Sequence, residues 1–173
     1  MYQNKSVLLI GGSGTLGEYT MQELLRLGVK HIDIICIEDL ISDDPCVSYY
    51  KGDAMEYSYL EEFLAQRHYD GIVNFLHYSN PNPYPLVHRL LMKRCDHLIF
   101  LSSYRVYADV QHPITESAPK LLDVLDDTVF LQNEGYAVPK TWCEHYMAST
   151  NDAHWTVVRP VISFSKRRFD LVT

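Results

Sequence analysis

Short apolar runs alternate with segments in which apolar residues recur every three or four positions along nearly the whole chain. Continuous runs predict buried strands, and recurrence at helical spacing predicts amphipathic helices. Because the two patterns alternate, the chain is predicted to form an α/β fold, a doubly wound parallel sheet with helices on both faces. Strands are expected at 7–10, 32–37, 47–50, 71–76, 97–101 and 155–158, helices at 15–27, 57–66, 86–95 and 136–149, and surface loops at 79–85 and 111–127.

The first apolar run, Val7–Ile10, leads directly into the sequence Gly-Gly-Ser-Gly-Thr-Leu-Gly. Glycines after a parallel strand allow a tight turn into a helix, and they let backbone amides approach a bound pyrophosphate. Gly12, Gly14 and Gly17 give the spacing Gly-x-Gly-x-x-Gly, whereas Gly11 with the last two gives Gly-x-x-Gly-x-x-Gly. The turn predicts a dinucleotide site, and its spacing alone leaves both patterns open.

Two acidic residues, Glu38 and Asp39, follow the second predicted strand, about twenty residues beyond the glycines. A carboxylate at this place accepts a hydrogen bond from the ribose 2′-hydroxyl and repels a 2′-phosphate, which favours NAD over NADP. The alternative is that both are ordinary loop acids. Of the two, we expect Glu38 to be the ribose contact.

The composition limits the kinds of partner. Lys and Arg number 15 against 22 Asp and Glu, which gives a net charge of −7. This balance argues against a nucleic-acid or anionic-membrane surface, and the basic run at 166–168 is too short to change it. A length of 173 residues suits one domain. We therefore expect a single dinucleotide-binding domain over 1–173 that takes a small-molecule substrate and binds neither nucleic acid nor membrane.

The cysteines show neither a Cys-x-x-Cys pair nor the spacing of metal ligands, so we expect reduced structural thiols and no metal site. An apolar strand begins close to the first residue, and no apolar run reaches the roughly twenty residues of a membrane span. Neither a signal peptide nor a membrane anchor is expected, which predicts a cytoplasmic protein. The four thiols belong to Cys36, Cys46, Cys95 and Cys143.

Candidate chemistry follows the predicted strand at 97–101. Ser103 comes two residues after it, and Tyr136 and Lys140 further on are spaced to lie one turn apart on the same face of a helix. A phenol is a poor base at neutral pH, but a nearby ammonium favours the phenolate and brings proton transfer within reach. Ser103 would then orient the substrate oxygen.

Pro139 lies inside the tyrosine-bearing helix and restricts where that helix can begin. Proline disfavours a helix interior by about 3 kcal/mol but is accepted in the first turn. We therefore expect the helix to begin close to Asn133 or Glu134, with Asn133 as a cap and Tyr136 at the mouth of the helix.

Taken in order, Gly-x-x-Gly-x-x-Gly at 11–17, Ser-Ser-x-x-Val-Tyr at 102–107 and Tyr-x-x-x-Lys at 136–140 resemble the motifs of the extended short-chain dehydrogenase/reductase superfamily, specifically its NAD-dependent epimerase/dehydratase family. The resemblance implies a Rossmann-type fold, NAD as cofactor and Ser103, Tyr136 and Lys140 as catalytic residues. Asp53 would contact the adenine, and Pro160 would run past the nicotinamide. The cofactor contacts implied in all are Gly11, Gly14, Thr15, Leu16, Gly17, Glu38, Asp53, Ala54, Asn74, Tyr136, Lys140 and Pro160.

The chain departs from this family in three respects. Family members continue past the sixth strand into a C-terminal substrate region, so this chain is either a truncated piece or a minimal member, and of these a truncated piece is favoured. His77 stands where many members have a small residue, and it is either a polar contact of the site or a structural histidine. The connection from Asn74 to Ser103 is shorter than usual for the family, as if its helix were trimmed. Because that helix commonly contributes to dimerisation in the family, a homodimer is only an expectation here.

The function implied by the resemblance is that of an NAD-dependent epimerase/dehydratase-type oxidoreductase acting on a hydroxyl-bearing small molecule, for which a nucleotide sugar is expected. Tyr136 would take the hydroxyl proton, Ser103 would hold the oxygen and Lys140 would favour the phenolate. Two other classes stay open: a non-catalytic dinucleotide-binding regulatory or scaffold protein, and an atypical member that binds a macromolecule such as RNA. The motifs do not distinguish epimerase, dehydratase and reductase.

Overall fold

The computed structural model of the protein describes residues 2–161 and contains one six-stranded parallel sheet. Expectations for later positions, among them the basic run at 166–168, lie outside the described residues. The strands are β1 (Ser6–Ile10), β2 (His31–Cys36), β3 (Val47–Lys51), β4 (Gly71–Asn74), β5 (Leu98–Leu101) and β6 (Trp155–Val158). The helices are α1 (Thr15–Arg26), α2 (Tyr57–Leu64), α3 (Tyr84–Met92), α4 (Leu121–Val124), α5 (Thr128–Asn133) and α6 (Ala137–Ser149), with a 3₁₀ helix at Tyr104–Val106.

The strands are ordered β3-β2-β1-β4-β5-β6, and every neighbouring pair is parallel. The chain therefore builds outward from β1 in one direction and then from β4 in the other. Loops that leave the carboxyl ends of β1 and β4 diverge at this reversal, and they open the crevice in which sheets of this kind bind ligands. The order confirms the doubly wound parallel sheet.

Alternate residues of a strand point to opposite faces of the sheet, and β1 shows how both faces are covered. Leu8 and Ile10 belong to the larger apolar cluster, to which α2, α3 and α6 contribute. Leu9 belongs to the smaller cluster, on which Met21 and Leu24 of α1 pack. Helices thus cover both faces of the sheet, as the sequence predicts.

The end of β4 and the start of α3 differ from the prediction. β4 ends at Asn74, two residues before the end of the apolar run at 71–76, so Phe75 and Leu76 leave the sheet. α3 begins at Tyr84, within the expected loop, and Pro85 lies in its first turn. The N–H groups of a first turn have no acceptor within the helix, so a proline there costs no helical hydrogen bond.

The short helices α4 and α5 are absent from the prediction. A helix of four to six residues shows too little of the 3.6-residue period to be recognised. Asp127 marks the start of α5, because its carboxylate accepts the N–H groups of Val129 and Phe130, both at 3.0 Å. Within residues 2–161 no helix is long and apolar enough to cross a membrane.

Candidate active site

The glycine turn between β1 and α1 combines close packing with an open outer side. Gly11 has a φ of +73°, a conformation that glycine adopts without strain. A Cβ on Gly17 would lie only 2.2 Å from the carbonyl oxygen of Gly12, so α1 can approach the turn only without a side chain there. A Cβ on Gly14 would meet no atom within 4 Å. The turn therefore leaves space at the N-terminus of α1, where the helix dipole is positive.

A cavity of about 310 Å³ lies beside this turn. It brings together five of the residues predicted to contact a cofactor, although they come from three separate loops after strands. Ser13 and Leu76, which the sequence analysis did not include, also line the cavity. The five predicted residues are Gly11, Gly14, Glu38, Asp53 and Ala54. Two further predicted contacts, Thr15 and Leu16, form the first turn of α1.

The two candidate acids differ in their surroundings. Ser13 Oγ donates a hydrogen bond to Glu38 Oε2 at 2.8 Å, and this bond lowers the pKa of the Glu38 carboxyl. Asp39 does not line the cavity and lies 3.3 Å from Lys51 Nζ. The structure therefore places Glu38, rather than Asp39, beside the glycine turn.

Asp53 and Asn74 have different roles in the geometry. Asp53 Oδ1 accepts the N–H of Met55 at 2.9 Å, which holds the side chain at the edge of the cavity. Asn74 is fully buried: its Nδ2 donates to the hydroxyl of Tyr78 at 2.9 Å, and its Oδ1 accepts the N–H of Leu76 at 3.1 Å. The structure therefore does not bring the Asn74 side chain into the cavity, because both of its polar ends are used to fold the turn after β4.

The start of α6 lies later than predicted. The first helical residue is Ala137 rather than Asn133 or Glu134, and Tyr136 is the residue that precedes it. Pro139 is then the third residue of the helix, still within the first turn, which is the position that the proline argument requires. The predicted location of Tyr136 at the mouth of the helix is correct. The start inferred from the proline is wrong, whereas the start at 136 given by the apolar pattern is one residue early.

The prediction that Asn133 caps α6 is also wrong. Asn133 ends α5, and its Nδ2 donates to the carbonyl oxygen of Val129 at 2.7 Å. Glu134 is the capping residue, because its Oε2 accepts backbone N–H groups from the first turn of the next helix. These groups belong to Tyr136 at 3.1 Å, Ala137, and Val138 at 2.9 Å. A glutamate two residues before the N-cap is not among the usual capping signals, so the sequence did not indicate it.

Lys140 is buried, with 3% of its surface exposed. Its Nζ donates to the carbonyl oxygen of Leu101 at 2.7 Å and lies 5.7 Å from the centre of the Tyr136 ring. Burial lowers the pKa of Lys140 to about 8, although Cys143 and Glu144 partly oppose the shift. An ammonium has three N–H donors, so the bond to Leu101 leaves others for a ligand.

Ser103 and Pro160 lie together at the carboxyl ends of β5 and β6. Ser103 caps the 3₁₀ helix, and its Oγ accepts the N–H of Arg105 at 3.3 Å. The carbonyl oxygen of Pro160 accepts the N–H of Tyr104 at 3.2 Å. The structure thus brings Ser103, Pro160 and the Lys140 ammonium to neighbouring strand ends, as expected for residues of one site.

His77 lies against the candidate tyrosine. Its Nε2 is 2.9 Å from the carbonyl oxygen of Gly135, and since a carbonyl only accepts, Nε2 carries the proton. The imidazole ring is 5.0 Å from the ring of Tyr136, and burial lowers the pKa of His77. The preceding residue, Leu76, lines the cavity beside the glycines. We call the cavity-lining residues the glycine end of the site, and Ser103, Tyr136 and Lys140 the tyrosine end. Leu76 and His77 therefore connect the two ends.

A buried ionic cluster, which the sequence did not reveal, lies one helical turn beyond Lys140. Glu144 is 2% exposed and accepts two hydrogen bonds from Arg159, at 2.8 and 2.9 Å, while Lys120 Nζ lies 3.0 Å away. Burial opposes ionisation, but these cations outweigh it and lower the pKa of Glu144. Arg159 also donates to the hydroxyl of Tyr107 at 3.0 Å, so the cluster ties α6 to the end of β6.

The four cysteines are free thiols. Cys36, Cys95 and Cys143 are buried, Cys46 is half-buried, and none of the four forms a disulfide. Among residues 2–161 no three His, Cys, Asp or Glu side chains are grouped as metal ligands would be.

Comparison with known proteins relates nearly all of the chain to one family. The sequence model of the "NAD dependent epimerase/dehydratase family" matches residues 7–171. The UDP-glucose 4-epimerase of Lactobacillus helveticus is 25% identical in an alignment 165 residues long, which covers 85% of this chain and 47% of that protein. The UDP-glucose 4-epimerase of Lacticaseibacillus casei is 32% identical in an alignment 79 residues long, which covers 43% of this chain and 23% of that protein.

Solved structures share the fold. UDP-glucose 4-epimerase from Bifidobacterium longum, in complex with NAD⁺ and UDP, superposes with a TM-score of 0.66 at 24% identity. The superposition covers 88% of this chain and 51% of the enzyme. At this identity the likeness establishes the fold alone. The chain spans about half the length of the relatives that it matches along most of its length.

Proposed function

Because this chain belongs to the NAD dependent epimerase/dehydratase family, we propose that it binds NAD and catalyses hydride transfer at a hydroxyl-bearing carbon of a nucleotide sugar. The observation that carries the proposal is the placement of Tyr136 and Lys140 at the same sheet edge as the glycine cavity, with Lys140 Nζ 5.7 Å from the centre of the Tyr136 ring. We also propose that residues 1–173 form a single dinucleotide-binding domain.

The residues at the glycine end fit a dinucleotide. The space over Gly14 would admit a pyrophosphate at the N-terminus of α1, where the helix dipole favours negative charge. Glu38 would accept a hydrogen bond from the 2′-hydroxyl of the adenosine ribose, and Asp53 and Ala54 would border the adenine. At the other end Lys140 would hold the nicotinamide ribose, with Pro160 nearby.

NAD, when bound, supplies the hydride acceptor. The chain's own residues would handle the proton and the oxygen of the substrate. Tyr136, exposed at the mouth of α6, would take the hydroxyl proton at its phenol oxygen, and the ammonium of Lys140 would stabilise the phenolate. Ser103 Oγ accepts one hydrogen bond and retains a hydroxyl proton to donate to the substrate oxygen.

The names of the relatives support the substrate class. Both sequence relatives are UDP-glucose 4-epimerases, and the Bifidobacterium longum structure holds UDP together with NAD⁺. We therefore propose a UDP-linked sugar as the first substrate to test and epimerisation as the first reaction. A homodimer and a cytoplasmic location remain predictions.

The test compares the wild-type chain with Tyr136→Phe in a UDP-galactose to UDP-glucose conversion assay, alongside an NADH fluorescence titration. Removing the general acid/base should lower turnover about 10²- to 10⁴-fold. NADH affinity should change little, because the lost hydroxyl serves the chemistry more than binding. Tyr57→Phe, which changes an exposed hydroxyl on α2, is the matched control.

Three results separate the possibilities. Wild-type turnover that survives in Tyr136→Phe would contradict the proposed mechanism. NADH binding without turnover of any UDP-sugar would support a dinucleotide-binding protein without catalysis. Failure of the wild-type chain to bind NADH would contradict the proposed function as a whole.

A further inference from the structure

Tyr136 is surrounded by groups that the three sequence motifs do not include. The Arg105 guanidinium lies 5.4 Å from the centre of the Tyr136 ring. It comes from the 3₁₀ helix that Ser103 caps, whereas Tyr136 comes from the start of α6. Arg105 therefore spans the gap between the two segments that carry the candidate catalytic side chains.

The same arginine is joined to the capping residue of α6. Arg105 Nη2 donates to Glu134 Oε1 at 3.1 Å, while the other oxygen of that carboxylate accepts the N–H groups at 136–138. The backbone N–H of Arg105 also donates to Ser103 Oγ. Arg105 thus contacts the Glu134 carboxylate and the Tyr136 ring through its side chain, and the Ser103 hydroxyl through its backbone N–H.

We propose that Arg105 is a positioning residue, which acts through Glu134 to fix the mouth of α6 and thereby hold Tyr136 in register with Ser103. An ordinary surface ion pair between two exposed side chains contributes little. Here, however, the Glu134 side chain is only 13% exposed and already accepts backbone N–H groups. Removing its charged partner leaves a largely buried carboxylate with less compensation, which loosens the turn that carries Tyr136.

The catalytic consequence of this inference rests on the proposed function, but the contact itself does not. The first readout is therefore amide hydrogen exchange at Tyr136, Ala137 and Val138 in the complete chain. Arg105→Gln should speed their exchange about fivefold, the scale of a weakened helix cap. Arg105→Lys keeps the charge without the planar fork and should give an intermediate rate.

The second readout reports on the tyrosine itself. The protein labelled with 3-fluorotyrosine gives a ¹⁹F signal for Tyr136, identified by its loss in Tyr136→Phe. Arg105→Gln and Glu134→Gln should both shift this signal, and the double variant should shift it no further, because the two residues act as one unit. Arg26→Gln, which breaks the exposed pair with Glu23 on α1, is the matched control and should leave it unchanged.

Where the wild type turns over a UDP-sugar, Arg105→Gln should lower kcat about tenfold with little change in KM, since misplacing a reacting group slows the chemistry. Unchanged exchange and an unchanged Tyr136 signal in Arg105→Gln would overturn the proposal even in an active enzyme. An inactive wild type would count against the proposed function, whereas the exchange and ¹⁹F measurements would still decide the role of Arg105.

Discussion

The glycine end of the candidate site is shaped by the backbone, whereas the tyrosine end is held by charged side chains. At the glycine end, the closeness of Gly17 to Gly12 and the positive φ of Gly11 determine the shape of the cavity. At the tyrosine end, Glu134 precedes Tyr136 and pairs with Arg105, and Lys140 donates a hydrogen bond to the carbonyl oxygen of Leu101.

The difference indicates how each end should respond to change. A backbone-built cavity tolerates loss of charge but no added side-chain atoms where the chain approaches itself. A site held by partly buried charges tolerates small changes of shape but not the loss of one partner of a pair. Each of the following experiments changes one end and compares it with the other.

The largest stability effect is expected from Glu144→Gln. This change leaves Arg159 and Lys120 beside a neutral amide in a buried place, and it should lower the free energy of unfolding by about 3–5 kcal/mol. Urea unfolding measures it. Glu61→Gln, on the exposed surface of α2, is the control and should change stability little. If Glu144→Gln lowers the free energy of unfolding no more than Glu61→Gln does, the ionic cluster does not hold the tyrosine end.

At the glycine end, Gly17→Ala should lower the free energy of unfolding by about 3 kcal/mol, because its Cβ would meet the Gly12 carbonyl oxygen, and backbone cannot move aside. Gly14→Ala is the matched control, since its Cβ meets nothing within 4 Å.

The control should lose no more than about 1 kcal/mol, because Gly14 is the N-cap of α1 and alanine is a poorer cap than glycine. It should still weaken NADH binding, because the added methyl occupies the space proposed for the pyrophosphate. Equal losses of stability in the two variants would contradict the described packing of the turn. Unchanged NADH affinity in Gly14→Ala would argue against a pyrophosphate at that position.

A pH titration examines Lys140, whose pKa burial lowers to about 8 from an ordinary value of 10.5. In the folded protein the ammonium loses its proton as the pH rises through about 8, well below the pH at which an exposed lysine would lose it. NADH affinity should therefore fall about tenfold between pH 7 and 9.5 as the charged donor is lost. Burial lowers the pKa of His77, which moves its titration away from this range.

Lys140→Arg, which keeps its charge at every pH used, should show no such fall between pH 7 and 9.5. An affinity of the wild type that stays flat up to pH 9.5 would contradict this account of Lys140, either its lowered pKa or its contact with the ribose.

The two ends also differ in how far the sequence predicts them. The parallel doubly wound sheet, the glycine turn and the gathering of Glu38 and Asp53 beside it follow from local patterns, because parallel strands carry their loops to one edge of the sheet. The placement of Pro139 in a first turn was likewise predictable, since it depends only on local sterics.

The supports of the tyrosine end could not be predicted in this way. Arg105 and Glu134 stand 29 positions apart, and no spacing rule pairs an arginine with a glutamate over such a distance. Asn133 resembles a typical cap, but its amide bonds back into α5. Asn74, too, has a polar side chain at the carboxyl end of a strand, and only the three-dimensional contacts show that it serves the turn rather than the cavity.

The most direct test of the account is a titration of the protein with NADH and, separately, with NADPH, followed by nicotinamide fluorescence, for the wild type, Glu38→Ala and Asp39→Ala. The account predicts that the wild type prefers NADH and that Glu38→Ala weakens NADH binding about tenfold and loses the preference. Asp39→Ala should behave as the wild type. A wild type that binds neither dinucleotide, or a Glu38→Ala variant that binds NADH as tightly as the wild type does, would contradict it.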